Sequence, residues 1–269
     1  MIVEWVAYVL LGLFAGFAAG LLGVGGGLII VPVLAFIFSG HHFPEQYVMH
    51  LALGTAMASI IFTSISSARA HHLHGAVDWK AWREISPGVV TGTLIGTVLA
   101  AYLSAFFLKV FFVVFVFYVG TQMLLDIRPK AARAFPRLPG MFAAGGVIGM
   151  VSSLVGIGGG TLSIPFLTWC NVTLHRAIGT SSAIGLPIAI AGTVGYAANG
   201  LLVHGTLPAN SVGFIYLPAL VAIVAASMLT APLGAKLAHR LPVKRLKHVF
   251  AFLLYALGTR MAFSLFSGG

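Results

Sequence analysis

Ten apolar runs follow one another along this chain, and nearly all its charged residues fall between them or at their edges. The runs read as roughly 5–22, 28–39, 51–68, 86–107, 109–125, 141–155, 161–170, 178–198, 212–235 and 246–266. A helix needs about 20 apolar residues, with a range of about 17–25, to cross the hydrocarbon core of a bilayer. Most of the runs qualify. A water-soluble fold would need far more polar surface. Soluble domains carry about 25% charged residues, whereas this chain carries 7%, against 59% from the AVILMFWYC set. The same composition excludes disorder. The expected fold is an all-α polytopic membrane protein with the lipid bilayer as its solvent.

The runs at 28–39 and 161–170 are too short to span, and each follows a glycine cluster. They read as broken or re-entrant helices, which survive in lipid only where protein buries them or a cavity hydrates them. The clusters are copies of one another. Leu22-Gly23-Val24-Gly25-Gly26-Gly27 reappears as Val155-Gly156-Ile157-Gly158-Gly159-Gly160, with Pro32 and Leu34 matched by Pro165 and Leu167. Leu53-Gly54-Thr55 matches Ile178-Gly179-Thr180, Gly75 matches Gly200, and Gly120-Thr121-Gln122-Met123 matches Gly258-Thr259-Arg260-Met261. The chain therefore reads as two structural repeats, 1–139 and 140–269.

Charge sets the expected topology. If each glycine cluster turns the chain back as a hairpin, one side of the membrane holds thirteen basic residues: Arg69, Lys80, Arg83, Arg128, Lys130, Arg133, Arg137, Arg176, Lys236, Arg240, Lys244, Arg245 and Lys247. The other side holds only Lys109 and Arg260. A straight passage through each cluster would split them about eight against seven. Cytoplasmic loops carry the Lys/Arg excess, so the hairpin is expected. It gives five segments per half, inverted halves and both termini outside, in a cell inner membrane. The net charge of +10 is spread between apolar segments as topology signals, not as a nucleic-acid face. The first run has no basic n-region and no A-x-A site, so it reads as a retained helix and not a signal peptide.

Inverted repeats with broken helices place a site near the midplane. There Gly25, Gly26 and Gly27 would face Gly158, Gly159 and Gly160. A helix begins after each loop, and helix N-termini offer free N–H groups and partial positive charge. Two converging on one spot make an anion site. Thr55, Ser59, Thr161, Ser163, Thr180, Ser181 and Ser182 would add hydroxyl donors. The plainer alternative is that the glycines serve only a sharp turn and close packing. Packing also accounts for the small residues four apart at Gly88, Gly92, Gly96, Ala100 and Ser104, and at Ala222, Ala226, Thr230, Gly234 and Ala238, and for the face Thr55, Ser59, Thr63 and Ser66. Arg260 is either a counter-ion for the anion or a snorkelling residue, and Arg69 poses the same choice.

The only carboxylates are Glu4, Glu45, Asp78, Glu84 and Asp126, all in linkers or at segment ends. None is placed mid-span to hold a cation or relay protons. An anion needs no such coupling to leave a cell, since an inside-negative potential drives it out with about 2.3 kcal/mol per charge per 100 mV. His41, His42 and His50 cluster in one linker, and His71, His72 and His74 in another. Spacing of this kind can bind a metal, although interfacial residues are the plainer reading. The single Cys170 excludes a disulfide framework. The clusters lack the Lys-Ser/Thr of a nucleotide loop, and no enzyme or cofactor constellation appears. Trp5, Trp79, Trp82 and Trp169 sit near segment ends, as in an aromatic belt.

In order and doubling, these residues resemble the TauE/SafE, or sulfite exporter, family. The resemblance is carried by Gly20-Leu21-Leu22-Gly23-Val24-Gly25-Gly26-Gly27 with Val31-Pro32-Val33-Leu34, then Leu53-Gly54-Thr55 and His74-Gly75-Ala76-Val77-Asp78-Trp79. In the second half it is carried by Leu154-Val155-Gly156-Ile157-Gly158-Gly159-Gly160, Ile178-Gly179-Thr180-Ser181-Ser182 and Gly234-Ala235-Lys236-Leu237-Ala238. It implies an inner-membrane permease for sulfur oxyanions or organosulfonates such as sulfite or sulfoacetate. Arg260 stands where the resemblance leads us to expect a small or apolar residue. The expected function is export of such an anion. Uptake of thiosulfate or a similar anion, and a histidine-dependent metal sensor or carrier, are the alternatives. The expected partners are the anion and the bilayer, with a homodimer left open.

Overall fold

The computed structural model describes residues 2–23, 25–41, 43–125, 134–203, 207–238 and 243–266, with Ile2, 243–247 and Phe266 described by backbone alone. Val24, His42, Asp126, Arg128, Lys130, Arg133 and Arg240 lie outside them, as do the side chains of Lys244, Arg245 and Lys247. Ten helices are described: α1 (Ile2–Leu22), α2 (Gly27–Gly40), α3 (Glu45–Leu73), α4 (Trp79–Tyr102), α5 (Ala105–Leu124), α6 (Leu138–Val155), α7 (Gly160–Trp169), α8 (Leu174–Leu201), α9 (Leu217–Ala238) and α10 (Val243–Phe266). Eight are long and apolar enough to cross a membrane. At 1.5 Å per residue, α2 is about 21 Å long and α7 about 15 Å, short of the roughly 30 Å core.

Several helices start earlier than the apolar runs, α4 at Trp79 and α8 at Leu174 among them, and three further departures change the roles of named residues. The helix α3 extends well beyond 51–68, so His50, His71 and His72 are helical and not in linkers. The break after α4 falls at Leu103 and Ser104, where the Ser104 hydroxyl caps α5 by accepting from the Phe107 N–H (3.2 Å). Ser104 therefore ends the small-residue row instead of continuing it. Residues 212–216 belong to a hairpin of β1 (Ser211–Val212) and β2 (Ile215–Tyr216), with Ser211 opposite Tyr216. Gly213, at φ +55, takes the left-handed turn that a helix cannot contain.

The two halves pack by one scheme used twice. Gly12, Gly16 and Gly20 of α1 lie against Ile223, Ser227 and Ala231 of α9, running parallel. Gly88, Gly92 and Gly96 of α4 lie against Phe142, Gly146 and Met150 of α6, also parallel. Small residues at this spacing let backbones touch. A Cβ on Gly20 would overlap the Ala231 carbonyl oxygen, and one on Gly92 the Gly146 carbonyl oxygen. Exchanging α1–α5 with α6–α10 turns the first of these pairs into the second.

The matching helices pack on each other antiparallel. Met57 of α3 meets Gly192 of α8, Ser64 meets Gly185, and the Ser67 hydroxyl donates to Ser182 (3.2 Å). Gly120 of α5 meets Tyr255 of α10, and Lys109 Nζ donates to the Ser264 carbonyl (3.2 Å). Helix α3 also runs parallel to α9, because Thr55 is level with Tyr216 and Ser66 with Met228. Both α1 and α3 therefore share the direction of α9, and α2 runs back between them. By the same token α6 and α8 both follow α4, because Trp82 is level with Ala183 and Thr97 with Asn199. Each glycine cluster thus turns the chain around. These directions put Arg69, Lys80, Arg83, Arg137, Arg176 and Lys236 at one end of the bundle, with Lys109 and Arg260 toward the other.

Overpacking a close helix contact costs about 1–3 kcal/mol. Gly20→Val is expected to lower the thermal unfolding midpoint of the purified protein in detergent. Gly40→Val, at a position with open space around it, is expected to leave the midpoint near that of the unsubstituted chain.

Candidate functional site where the glycine loops meet

The hairpin turns bring the two glycine clusters into contact. A Cβ on Gly25 would stand 3.0 Å from Gly158 Cα, and a Cβ on Gly27 would overlap the Gly156 carbonyl oxygen. Gly26 and Gly159 are the N-caps of α2 and α7, at φ +79 and +75, and neither has a side chain to cap its helix. L side chains avoid this conformation, which accounts for glycine there. Their carbonyls accept the first helical bonds, from Ile29 and Ile30 and from Leu162 and Ser163. Among the described residues, the N–H groups of Gly25, Gly26, Gly27, Gly158, Gly159 and Gly160 have no acceptor. These are the unsatisfied donors that every helix start leaves, set here at the centre of the bundle.

Beside the contact, α3 and α8 supply hydroxyls. Ser64, Ser67, Ser181 and Ser182, with Gly25 and Gly158, line a narrow cleft of about 180 Å³ of interatomic space. Its walls stand too close for a water-sized guest. These serines belong to the C-terminal half of α3 and the N-terminal half of α8. The cleft therefore lies on the side of the glycine contact that faces the basic end. Ser181 Oγ donates to the Gly23 carbonyl (2.8 Å), tying α8 to the first loop.

The remaining candidates divide sharply. Thr161 is buried at the second residue of α7, and its hydroxyl has no partner among the described residues. Thr55 and Thr180 are fully buried and hold the chain, not the cleft. The Thr55 hydroxyl accepts from the Tyr216 N–H (2.9 Å), and the Thr180 hydroxyl accepts from the Asp78 N–H (2.8 Å). Each thus satisfies the backbone just before α9 or α4. Asp78 also caps α4 and pairs with Arg176 (3.3 Å). Ser59 Oγ donates to its own helix at Ala56 (2.7 Å) and lies outside the cleft lining. Arg260 is exposed, with its guanidinium 3.7 Å from the centre of the Phe36 ring. Phe36 lies far along α2 from Gly26, about 15 Å at 1.5 Å per residue, so the fold does not bring Arg260 to the loops.

Ser64 and Ser67 escaped the sequence reading. Of the face that the sequence offers on α3, at Thr55, Ser59, Thr63 and Ser66, only Thr63 also lines the cleft. The signal was available in the pairing of Ser64-x-x-Ser67 with Ser181-Ser182-x-x-Gly185, which meet once α3 and α8 are antiparallel. The histidines have separate tasks. His71 Nε2 donates to the Gly20 carbonyl (3.1 Å), His72 Nδ1 accepts from Trp79 (3.1 Å) and His74 Nδ1 donates to Ala70 (2.8 Å). Among the described residues no three His, Cys, Asp or Glu side chains converge as a metal site.

The model for the family described as sulfite exporter TauE/SafE matches residues 8–261. The chain belongs to the TauE/SafE family. It is 37% identical to a probable membrane transporter protein of Haemophilus influenzae, over 94% of this chain and 96% of that one. It is 26% identical to a probable membrane transporter protein of Methanocaldococcus jannaschii, over 94% and 93% of the two chains. Likeness to the Bacillus subtilis probable membrane transporter protein YunE is 25%, over 97% and 98%. No solved structure gives a significant match. The chain is accordingly a multi-pass membrane transporter of the TauE/SafE family and not an enzyme.

Thr180→Val removes the acceptor for the buried Asp78 N–H. An orphaned buried donor costs about 1–3 kcal/mol. The variant is expected to unfold at a lower temperature than the unsubstituted protein, and Thr55→Val is expected to match it, because the two hydroxyls do the same work in the two halves.

Proposed function

We propose that this transporter carries a small sulfur-containing anion, such as sulfite, sulfoacetate or a related organosulfonate, outward across the cell inner membrane. The anion would bind where the glycine loops meet, held by the N–H groups of Gly25 to Gly27 and Gly158 to Gly160, by Thr161, and by Ser181 once its hydroxyl turns from the Gly23 carbonyl to the anion. The observation that carries this reading is the convergence of two helix starts whose N–H groups have no acceptor among the described residues. Such starts favour negative charge. The sulfur chemistry comes from the family description.

Direction follows from the arrangement of charge. The hydroxyl-lined cleft faces the basic end of the bundle, and the positive-inside rule assigns that end to the cytoplasm. An exported anion enters from that side, and its Arg and Lys residues raise the local anion concentration. The antiparallel packing of α3 on α8 and of α5 on α10 supports the reading of 1–139 and 140–269 as inverted repeats. Arg260 has no part in the site on this reading, and Thr55, Ser59 and Thr180 act only by supporting the helices that form it.

Proteoliposomes loaded with sulfite are expected to release it faster as an inside-negative potential is imposed. Ser181→Ala should slow release several-fold. Gly26→Val should abolish it while the protein still inserts, because a β-branched residue at φ +79 adds strain of about 1–3 kcal/mol and covers the amides. Release that ignores voltage, or equal rates in all three proteins, would count against export through this site. Thiosulfate accumulation under the same conditions would favour uptake instead.

A further inference from the structure

The correspondence between the halves matches each cleft residue with one on the far side of the glycine contact. Gly25 corresponds to Gly158, so Ala19, which lines the cleft, corresponds to Ser152. Gly54 corresponds to Gly179, so the cleft residues Ser182 and Gly185 correspond to Met57 and Ile60, and Thr63 to Ile188. In the image of the cleft, long apolar side chains stand at three places, Met57, Ile60 and Ile188, while Ser64, Ser67 and Ser181 correspond to the small residues Ala189, Gly192 and Ala56. Met57, Ile60 and Ile188 are fully buried. Met57 Sδ lies 2.9 Å from where a Cβ on Gly192 would stand, and Ile60 Cγ2 lies 3.3 Å from the same point on Gly25. A Cβ on Gly159 would overlap the Ile188 methyl. The far side is plugged.

Beneath the plug, polar groups are stranded. Ser152 is fully buried, and its hydroxyl has no partner among the described residues. That hydroxyl lies 3.4 Å from the Cβ position of Gly159, the N-cap of α7. Ser163, one turn along α7 toward the basic end, is also fully buried and without a partner among the described residues. A helical serine has a ready acceptor in a carbonyl three or four residues back, and Ser59 and Ser182 use theirs. Ser152 and Ser163 do not. A buried hydroxyl without a partner costs free energy. The first half avoids that cost with Ala19 and Ile30 at the matching positions, so the fold does not require it.

We propose that Ser152 and the N–H groups of Gly159 and Gly160 form a second subsite for the transported oxyanion, on the side of the glycine contact away from the cleft, gated by Met57, Ile60 and Ile188. The inference rests on the transport reading given above. An oxyanion has enough acceptor oxygens to satisfy the Ser152 hydroxyl and the helix start together. Its passage runs from the serines of the cleft, across the Gly25–Gly158 contact, to Ser152 once the three apolar side chains move aside. The subsites are chemically unequal, because Ser152 stands where the cleft has Ala19.

The test uses the full-length protein in oriented proteoliposomes, with sulfite as the probe and half-saturation measured from each face. Ser152→Ala should raise half-saturation about fivefold from the face away from the basic end and leave the other face unchanged. Ser181→Ala should do the reverse. Ser152→Thr, which keeps the hydroxyl, should retain the unsubstituted value and thereby separate a binding role from a packing one. Ile188→Ala should raise passive sulfite flux several-fold. A Ser152→Ala effect that is absent or equal on both faces, or an Ile188→Ala flux no higher than that of the unsubstituted protein, overturns the second subsite. It would leave export through the cleft standing. Unsubstituted liposomes that move no sulfite, sulfate or thiosulfate overturn the transport reading and this inference with it.

Discussion

An apolar solvent leaves a peptide N–H nowhere to turn except to another part of the chain. That constraint makes the bundle helical, since a helix satisfies its own backbone. It also makes the exception informative. At Gly25 to Gly27 and Gly158 to Gly160, N–H groups without acceptors among the described residues are gathered at the centre. The contact of Gly25 with Gly158 works only because neither carries a Cβ. The rest of the fold serves that meeting. The glycine rows of α1 and α4 draw α9 and α6 to backbone distance, and α3 and α8 cross beside the loops to close the sides.

The symmetry of this arrangement is one of fasteners more than of chemistry. Thr55 and Thr180 each accept one backbone N–H ahead of the next spanning helix, and the parallel pairs α1–α9 and α4–α6 repeat the same small-residue seam. Where a solute would pass, the halves diverge. One side of the glycine contact has Ser64, Ser67, Ser181 and Ser182, and the other has Met57, Ile60 and Ile188. Equivalent backbones with unequal side chains are what a two-sided carrier needs, because one side can then be closed while the other binds.

Much of this was legible in the residues. Run lengths and the missing charges gave the ten helices, because apolar length is a strong signal in a membrane. The doubled glycine motif located the two loops that meet. The losses have particular physical causes. Ser104 looked like one more small packing residue, although its hydroxyl caps α5. The hairpin at 211–216 runs straight into the apolar start of α9, and the left-handed Asn210 and Gly213 mark it. Thr55 and Thr180 were read as donors to a solute. Which neighbour a buried hydroxyl serves depends on the chain brought opposite it, and no one-dimensional pattern carries that. Arg260 was open between two roles, and its place over the Phe36 ring follows from the docking of α10 near α2.

The neutral character of the centre bears on turnover. A permeant ion must be held well enough to leave its hydration shell and loosely enough to depart. A guanidinium beside the glycine loops would bind an oxyanion through charge-assisted bonds, roughly twice as strong as neutral ones, and would slow its release. Here the donors are peptide N–H groups and serine hydroxyls, while the described Arg and Lys side chains stand toward the ends of the bundle. Arg176 is paired with Asp78 and Arg260 lies over an exposed ring. On the proposed export of an anion, fixed charge would act at a distance, concentrating anions at the basic end, and uncharged dipoles would act at close range. That division would let the membrane potential, and not a buried counter-ion, set the direction in which the anion leaves.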